Sequence, residues 1–273
     1  MAGENAIPPD IAPGAIRAAL RSRLIGQSLE VYQEIASTND RAMAAGRAGA
    51  PEGLAVLADR QTAGRGRRGR AWASPSGRGL YTSILLRPRV DPTSVPLITL
   101  AAGLAVADGI REVSSLSPQL KWPNDVWLNG RKVAGILTEL AMAGPSVSHV
   151  VVGIGINVNQ RREDFPEELR EATSVSLESG RSIVRAALAA VLYNGLDRWY
   201  DLFCKGRTES ILEEGRRRSA TLGKPVRVLG GTEEWQGLAM DLDADGALLV
   251  QDEAGTRRRV MAGDVSIRET SAA

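Results

Sequence analysis

The sequence predicts an α+β fold in which a mixed sheet flanked by helices is followed by a small C-terminal β-barrel. Up to about residue 220, strand-like apolar runs are interspersed with segments of helical periodicity. From Leu222 onward, the chain contains short strand-like runs separated by tight turns, which is typical of a small barrel or sandwich. We therefore predict an N-terminal tail with a short helix (1–26), a large domain (27–220) and a small β domain (221–273).

Helices are predicted where apolar residues recur at helical spacing or where capping residues precede them. In the first of these segments, Ile16, Leu20 and Leu24 share one side. Residues 95–113 are apolar almost all round, which predicts a helix packed into the core. The predicted helices cover residues 11–24, 37–46, 95–113, 182–205 and 208–219.

Strands are predicted where apolar residues alternate or form short buried runs. Asn129 and Gly130 predict a hairpin turn, because both central residues of such a turn need positive φ. The predicted strands cover residues 29–35, 54–58, 80–86, 120–128, 132–140, 147–158, 225–229, 235–242, 247–251 and 257–261.

Composition excludes several classes of protein. A formal charge of +2 excludes a binder that relies on a wholly basic surface. One cysteine, Cys204, excludes an intrachain disulfide framework and multi-cysteine zinc modules. One histidine, His149, excludes an HExxH metalloprotease site. We find no run of about 18 apolar residues and no signal pattern, so we expect a cytoplasmic protein without membrane association.

Residues 64–69 (GRGRRG) match the dinucleotide-binding pattern GxGxxG, but their context does not. That pattern must open a helix, whereas residues 70–77 (RAWASPSG) cannot begin a packed one. The glycines of this segment can expose backbone N–H groups, and several arginines surround them. This combination favours a loop that binds an anion over a loop that is only solvent-exposed. The arginines of this cluster are Arg60, Arg65, Arg67, Arg68 and Arg70.

Three further segments are ambiguous on their residues alone. Residues 121–125 (KWPND) are either a ligand-facing polar cluster or a strand end with a proline and an Asx turn. Lys132 lies beside a turn, where a lone lysine is more often solvated than catalytic. Gly153 and Gly155 weaken a strand unless backbone or a ligand packs tightly there.

Taken together, five blocks resemble the biotin–protein ligases. The blocks are Ser37, Thr38 and Asn39; residues 61–70 with Trp72, Ser74 and Pro75; residues 121–125; residues 130–137; and residues 153–157. All five stand in the family's order, and the similarity runs from about Leu29 to the C-terminus. The resemblance implies a class II synthetase-like catalytic domain that binds biotin and ATP, and an SH3-like C-terminal barrel.

The same resemblance implies a two-step reaction. The biotin carboxylate attacks the α-phosphorus of ATP, with Mg²⁺ as the expected metal, and yields biotinyl-5′-AMP and pyrophosphate. A lysine of a biotin carboxyl carrier domain, of acetyl-CoA carboxylase or a related carboxylase, then displaces AMP. Positive charge must hold the anionic groups where they meet, and the arginine-rich loop can supply it.

Matching positions assign roles to individual residues. The implied catalytic residues are Lys132 and Arg67. The implied biotin-binding residues are Ser37, Thr38, Asn39, Gln61, Arg65, Gly66, Arg67, Lys132 and Gly135. The implied nucleotide-binding residues are Arg68, Arg70, Trp72, Lys121, Asn124, Asp125, Gly155 and Asn157. Metal ligands stay unassigned.

Some ligases of this family are also repressors and carry an N-terminal helix-turn-helix domain of about sixty residues. Fewer than thirty residues precede the first predicted core strand here, so we expect a monofunctional ligase, as a monomer or homodimer, without specific DNA binding.

Two alternatives stay open. A lipoate or octanoate ligase shares the fold and an equivalent lysine but typically lacks the arginine-glycine block. A nucleic-acid binder that uses this loop predicts interleaved aromatic residues, and the loop offers Trp72 alone.

Overall fold

The structure, a computed structural model, describes residues 7–230, 233–261 and 264–267. Residues 1–6 of the predicted tail, and residues 231–232, 262–263 and 268–273 of the predicted β domain, lie outside the described residues. The helices are α1 (Pro13–Arg17), α2 (Thr38–Arg47), α3 (Val95–Ser114), α4 (Val175–Ser179), α5 (Arg185–Cys204) and α6 (Thr208–Arg217). The strands of the first sheet are β1 (Leu29–Ile35), β2 (Ala55–Gln61), β3 (Gly79–Leu86), β4 (Gln119–Lys121), β5 (Asp125–Leu128), β6 (Arg131–Ala143) and β7 (Ser146–Asn157). Those of the second are β8 (Pro225–Gly230), β9 (Glu233–Leu242), β10 (Leu248–Asp252), β11 (Arg257–Val260) and β12 (Asp264–Ile267).

The larger sheet has seven strands in the order β1-β2-β3-β7-β6-β5-β4. Its β1 and β2 are parallel, and the other neighbouring strands are antiparallel. The second sheet is antiparallel, in the order β11-β10-β9-β8-β12. The predicted α+β fold, with a mixed sheet, flanking helices and a small C-terminal β unit, is confirmed.

Helix α3 lies in the core, packed against α5, α6 and β6. Its buried side chains include Ile98, Leu104 and Ile110, as predicted for a helix that is apolar almost all round. Among the described residues, one helix, Pro92–Ser114, is long and apolar enough to cross a membrane, although we expected no such segment. Because 67% of that stretch is buried inside the protein, its apolar side chains are explained by packing in the core.

The predicted helix 11–24 is wrong in its second half, because α1 ends at Arg17. Two side chains of α5 accept the backbone N–H groups of residues 21–25. Asn194 Oδ1 accepts the first two, at 2.6 and 2.9 Å, and the Asp197 carboxylate accepts the other three, each at 3.0 Å. These N–H groups are therefore unavailable for helical hydrogen bonds.

Three further differences are local. The predicted strand 120–128 is two strands, β4 and β5, which pair Lys121 with Asp125 across a tight turn. The short α4 and β12 were not predicted. The predicted turn at Asn129 and Gly130 is confirmed, with φ of 49° and 76°.

A buried ion pair ties α5 to the large sheet. The side chains of Arg185 and Asp59 are both 1% exposed, with Nη1 of the arginine 2.6 Å from Oδ1 of the aspartate. Asp10 contacts the same guanidinium at 2.7 Å. Asp59 also accepts from the Ser76 hydroxyl and, at 3.0 Å, from the Gly77 N–H. Burial acts to raise the pKa of Asp59, but the hydrogen bonds and the guanidinium outweigh it and hold that pKa below its ordinary value.

The small β domain contacts the large domain beside residues 121–125. Trp122 donates from Nε1 to the Gly246 carbonyl and from its backbone N–H to Thr221 Oγ1, both at 3.0 Å. Arg216 of α6 pairs with Asp241 of β9 at 2.7 Å. The smaller domain thus packs against one edge of the motif predicted to bind the nucleotide.

Candidate active site

One cavity of about 490 Å³ brings together all the predicted site residues except Arg68. Its walls come from the N-terminus of α2, the end of β2, the loop 64–75 and the facing parts of β5, β6 and β7. Residues far apart in sequence therefore surround one space large enough for an extended small molecule. The roles assigned to the individual side chains stay predictions.

The polar end of the cavity is built at the start of α2. Ser37 is the N-cap of this helix, and its hydroxyl accepts from the Asp40 N–H at 3.4 Å. The Gln61 side-chain carbonyl accepts from the Thr38 N–H at 2.9 Å and from the Thr38 hydroxyl at 3.1 Å. Gln61 Nε2 donates onward to the Ser74 hydroxyl at 3.0 Å. This end thus presents fixed amide and hydroxyl groups, which suit a neutral polar ring.

Asn39, the next residue of α2, is held from three sides. Its Oδ1 accepts from the buried Ser83 hydroxyl at 2.5 Å. Its Nδ2 donates to the Leu137 carbonyl at 3.3 Å and to Glu139 Oε2 at 2.8 Å. Gly153 is required here because a β carbon at that position would lie 2.0 Å from Asn39 Oδ1. The tight packing expected at Gly153 therefore comes from a side chain.

The arginine-glycine segment is a small hairpin rather than an extended loop. Arg65 and Ala71 form an antiparallel bridge, and the Gly66 N–H donates to the Arg70 carbonyl at 2.7 Å. At its tip, Arg68 adopts the left-handed conformation, with φ of 54°. Arg67 donates from Nη1 to Asn124 Oδ1 at 3.1 Å, which connects the hairpin to residues 121–125.

Arg68 is the predicted site residue that the structure places elsewhere. Its guanidinium donates to the Leu229 carbonyl of the small β domain at 3.2 Å. The left-handed backbone at the hairpin tip turns this side chain toward the neighbouring domain. Arg68 does not line the cavity, although Leu229 does, and its contact with the nucleotide stays a prediction.

Lys132 projects from β6 into the cavity. Its Nζ lies 2.7 Å from Asp125 Oδ1, with the two side chains 36% and 16% exposed. The ammonium is also 5.4 Å from the ring centre of Trp72. The backbone of Lys132 is held by the segment behind it, since the Thr173 N–H donates to its carbonyl at 2.8 Å. Lys132 thus brings a primary amine with a carboxylate partner and a fixed backbone into the cavity.

The turn that precedes Lys132 is anchored by Glu178. Asn129 and Arg131 donate to the two oxygens of its carboxylate, each at 2.6 Å, and the Thr173 hydroxyl donates to Oε1. Burial acts to raise the pKa of Glu178, but these hydrogen bonds and the Arg131 charge lower it overall. The carboxylate therefore stays ionised at neutral pH and fixes the turn.

The Trp72 indole lies on a floor of two glycines. Gly135 of β6 and Gly155 of β7 are paired across the sheet. A β carbon on Gly155 would lie 2.4 Å from Cε2 and Nε1 of Trp72, and one on Gly135 would lie 3.0 Å from its Cζ3. The buried Trp72 Nε1 finds no hydrogen-bond partner within the part of the chain that the structure describes. The glycines are thus explained by an aromatic ring that packs directly on the strands.

Asn157, at the end of β7, is buried with both ends of its amide engaged. Its Nδ2 donates to the Thr173 carbonyl at 3.1 Å, and its Oδ1 accepts from Gln160 at 3.2 Å.

The ammonium of Lys121 lies 5.3 Å from the ring centre of Trp127. Asn157 and Lys121, both predicted site residues, line the cavity. Trp127, which lies beside Lys121, also lines it but was not predicted as a site residue.

Other lining residues were also missed by the sequence analysis. The unpredicted segment 164–172 covers one side of the cavity, and Leu229 reaches it from the small β domain. The segment carries no motif and no periodicity that sequence reasoning could have used.

The carboxylates of the cavity do not form a metal cage. Among the residues that the structure describes, no group of three or more His, Cys, Asp and Glu side chains is placed to hold a metal ion. Protein-bound Mg²⁺ commonly keeps several waters and takes one or two carboxylates together with substrate phosphates. Asp125, beside Lys132, supplies one such carboxylate. The donor set therefore fits a Mg²⁺ that binds together with a nucleotide.

Comparison with known proteins agrees with this geometry. Residues 32–157 match the Biotin/lipoate A/B protein ligase family, and residues 221–268 match the Biotin protein ligase C terminal domain. The bifunctional ligase/repressor BirA of Bacillus spizizenii is 38% identical over 264 residues, which cover 95% of this chain and 80% of that protein. The biotin–[acetyl-CoA-carboxylase] ligase of Mycobacterium tuberculosis is 34% identical over 263 residues, which cover 90% and 93%.

A solved structure extends the similarity to the fold. Biotin protein ligase from Aquifex aeolicus, in complex with biotin and ATP, matches with a TM-score of 0.76 at 31% identity, covering 89% of this chain and 100% of that one. The chain is a ligase of the Biotin/lipoate A/B protein ligase family, and its C-terminal match places it among the biotin protein ligases. The resemblance seen in the sequence is confirmed.

Proposed function

We propose that the chain is an ATP-dependent biotin–protein ligase. A carboxylate oxygen of biotin attacks the α-phosphorus of ATP, the bond from that phosphorus to the bridging oxygen breaks, and pyrophosphate leaves. The amine of an acceptor lysine then attacks the carbonyl carbon of biotinyl-5′-AMP, and AMP leaves as the amide forms. The observation that carries the proposal is the single cavity in which the polar end at α2 meets the arginine hairpin and Lys132.

The biotin head group belongs at the polar end of this cavity. Its ureido ring needs both donors and acceptors, and Ser37, Thr38, Asn39 and Gln61 supply amides and hydroxyls there. The carboxylate end then extends toward Arg65, Gly66 and the amine of Lys132. Gly135 lets Trp72 and the Lys132 amine lie close to the strand there.

Lys132 and Arg67 act on the reacting groups. The ammonium of Lys132 offsets charge that develops on the carboxylate and α-phosphate oxygens, and its ion pair with Asp125 directs it into the cavity. The guanidinium of Arg67 offers several N–H donors to phosphate oxygens. In a cavity that excludes water, such charges are worth more than in solution.

The nucleotide occupies the side of the cavity near residues 121–125. The residues proposed to contact it are Arg70, Trp72, Lys121, Asn124, Asp125, Gly155 and Asn157. Mg²⁺ bound with the nucleotide would neutralise phosphate charge, with Asp125 as a protein ligand. Adenine stacks favourably on an aromatic surface, and the Trp72 indole on its glycine floor offers one.

The acceptor is proposed to be the lysine of a biotin carboxyl carrier domain in acetyl-CoA carboxylase or a related carboxylase. The Mycobacterium tuberculosis relative, a biotin–[acetyl-CoA-carboxylase] ligase, supports this choice. We further propose a catalytic domain of residues 27–220, a C-terminal domain of residues 221–273, a cytoplasmic location and a monomer or homodimer in solution.

We infer no sequence-specific DNA binding, since a formal charge of +2 provides no broad phosphate-binding surface. A gel-shift assay with a panel of promoter fragments tests this directly. Retention of one sequence over a scrambled competitor at physiological salt would contradict it.

Pyrophosphate release tests the proposed first step. With ATP and Mg²⁺, biotin should stimulate release, whereas lipoate and octanoate should leave it at background. The lipoate alternative shares the fold, and release stimulated by lipoate but not by biotin would replace the proposal with that alternative.

A further inference from the structure

The carboxylate of Glu139 connects the two ends of the cavity. Glu139 lies on β6, and its side chain is 28% exposed. Its Oε2 accepts from Asn39 Nδ2 at 2.8 Å and from Arg65 Nη2 at 2.9 Å, while Oε1 accepts from Arg65 Nη1 at 3.1 Å. One carboxylate therefore holds a residue of the polar end and a residue of the arginine hairpin together.

On the first side, Glu139 completes the set of groups that orients the Asn39 amide. Ser83 donates to Oδ1, so the NH₂ group must point the other way. There it meets the Leu137 carbonyl at 3.3 Å and the Glu139 carboxylate at 2.8 Å, of which the charged acceptor is the nearer. Without Glu139, the amide would retain the weaker of its two acceptors.

On the second side, Glu139 fixes the base of the hairpin. Arg65 is the first arginine of the hairpin, and its guanidinium binds Glu139 through two nitrogens and Asp40 at 2.6 Å. Two parallel hydrogen bonds of this kind define the direction of a guanidinium as well as its position. The base of the hairpin that carries Arg67 into the cavity is therefore tied to β6 through Glu139.

We propose that Glu139 is a positioning residue for the ligase reaction. It orients the Asn39 amide for the biotin head group and holds Arg65 at the base of the hairpin, so that both ends of the site take one arrangement. The inference rests on the proposed function, because it assigns biotin to the polar end. Glu139 itself contacts neither substrate.

Glutamine at this position weakens both contacts of Glu139. The Glu139→Gln side chain has nearly the same size but is neutral and has only one acceptor oxygen. Oε2 accepts from both Asn39 and Arg65 whereas Oε1 accepts from Arg65 alone, so the glutamine oxygen keeps more bonds at the Oε2 position and the NH₂ group faces Arg65 Nη1. Asn39 then has a neutral instead of a charged acceptor, and Arg65 loses one hydrogen bond and the opposing charge.

Isothermal titration measures the affinities for biotin and for α,β-methylene-ATP, which cannot release pyrophosphate, on the full chain. In Glu139→Gln, the Kd for biotin should rise about tenfold, as expected for the loss of one hydrogen bond to a charged group, with the Kd for the nucleotide analogue unchanged or lower. Glu30→Gln is the matched control. Its carboxylate is 30% exposed and likewise accepts from a neutral donor, Tyr32, and from a guanidinium, Arg41, so both affinities should stay at the wild-type values.

A second variant keeps the proposal testable if Glu139→Gln does not fold. Ser83→Ala removes the hydroxyl that lies 2.5 Å from Asn39 Oδ1 and 2.7 Å from Thr38 Oγ1, so it should also weaken biotin binding without weakening nucleotide binding. The proposal is overturned if Glu139→Gln binds biotin as the wild type does, or if its affinities for biotin and nucleotide fall together. Failure of the wild-type chain to bind biotin at all would instead contradict the proposed function.

Discussion

Trp72 and Gly155 are in direct contact, so closely that a β carbon on the glycine would lie 2.4 Å from two atoms of the indole. The ring therefore covers β7 in the part of the cavity proposed for the nucleotide. Any side chain at position 155 has to displace this ring, and the two residues must act as a unit.

Gly155→Ala should accordingly destabilise the protein by about 1–3 kcal/mol, the usual range for an overpacked site. Trp72→Ala removes the ring, so the double variant should lose less stability than the sum of the two single variants. Urea denaturation of the four proteins measures the difference. Gly14→Ala is the control, since nothing lies within 4 Å of a β carbon there. Strict additivity would contradict the contact.

Lys132→Ala should lower the rate of pyrophosphate release by about 10²–10³-fold, the range for loss of one group that stabilises transition-state charge. Its thermal unfolding should stay close to that of the wild type, because Lys132 is paired at the cavity surface rather than in the core. Lys205→Ala, which breaks an exposed pair with Asp201, is the control and should retain full activity. Turnover near the wild-type rate in Lys132→Ala would refute the role of this amine.

Arg185→Met should destabilise the fold by about 3–5 kcal/mol, because it leaves the buried carboxylate of Asp59 without its charge partner. The comparison is Arg198→Met, which removes a 59% exposed guanidinium from Asp108; because Arg218 still pairs with this carboxylate at 2.7 Å, the variant should cost less than about 1 kcal/mol. Guanidinium chloride denaturation at neutral pH measures both values. Equal effects in the two variants would mean that the Arg185 pair contributes no more than a surface pair.

The stability that Asp59 supplies should depend on pH in a defined direction. Its pKa is lower in the folded protein than in the unfolded chain, where a value of about 3.9 is expected. The contribution is therefore fully present above about pH 4 and is lost as the pH falls through the lower, folded-state pKa. The difference in unfolding free energy between wild type and Asp59→Asn should be constant from pH 5 to 8 and shrink below pH 4. A difference that grows on acidification would contradict the assignment.

Most of the fold and of the cavity could be predicted because the relevant signals are local. The glycine pattern at 153–157 indicated a close approach, and the capping residues 37–39 correctly started α2. The early end of α1 could not be predicted in this way, since Asn194 and Asp197, which are far away in sequence, accept the N–H groups of residues 21–25 beyond it.

The positions of Arg68 and Glu139 depend on tertiary contacts in the same way. Arg68 belongs to the motif, but the left-handed backbone at the hairpin tip directs it to Leu229. Glu139 belongs to no motif and gains its position because β6 brings it beside both Asn39 and Arg65. Such pairings require the folded chain, as local propensity carries no information about them.

Mass spectrometry of a purified biotin carboxyl carrier domain tests the central claim most directly. After incubation with this protein, ATP, Mg²⁺ and biotin, the carrier should gain one biotinyl group on one lysine. The gain should require ATP and should be lost with Lys132→Ala. A carrier that stays unmodified while a known biotin ligase modifies it in parallel would contradict the account.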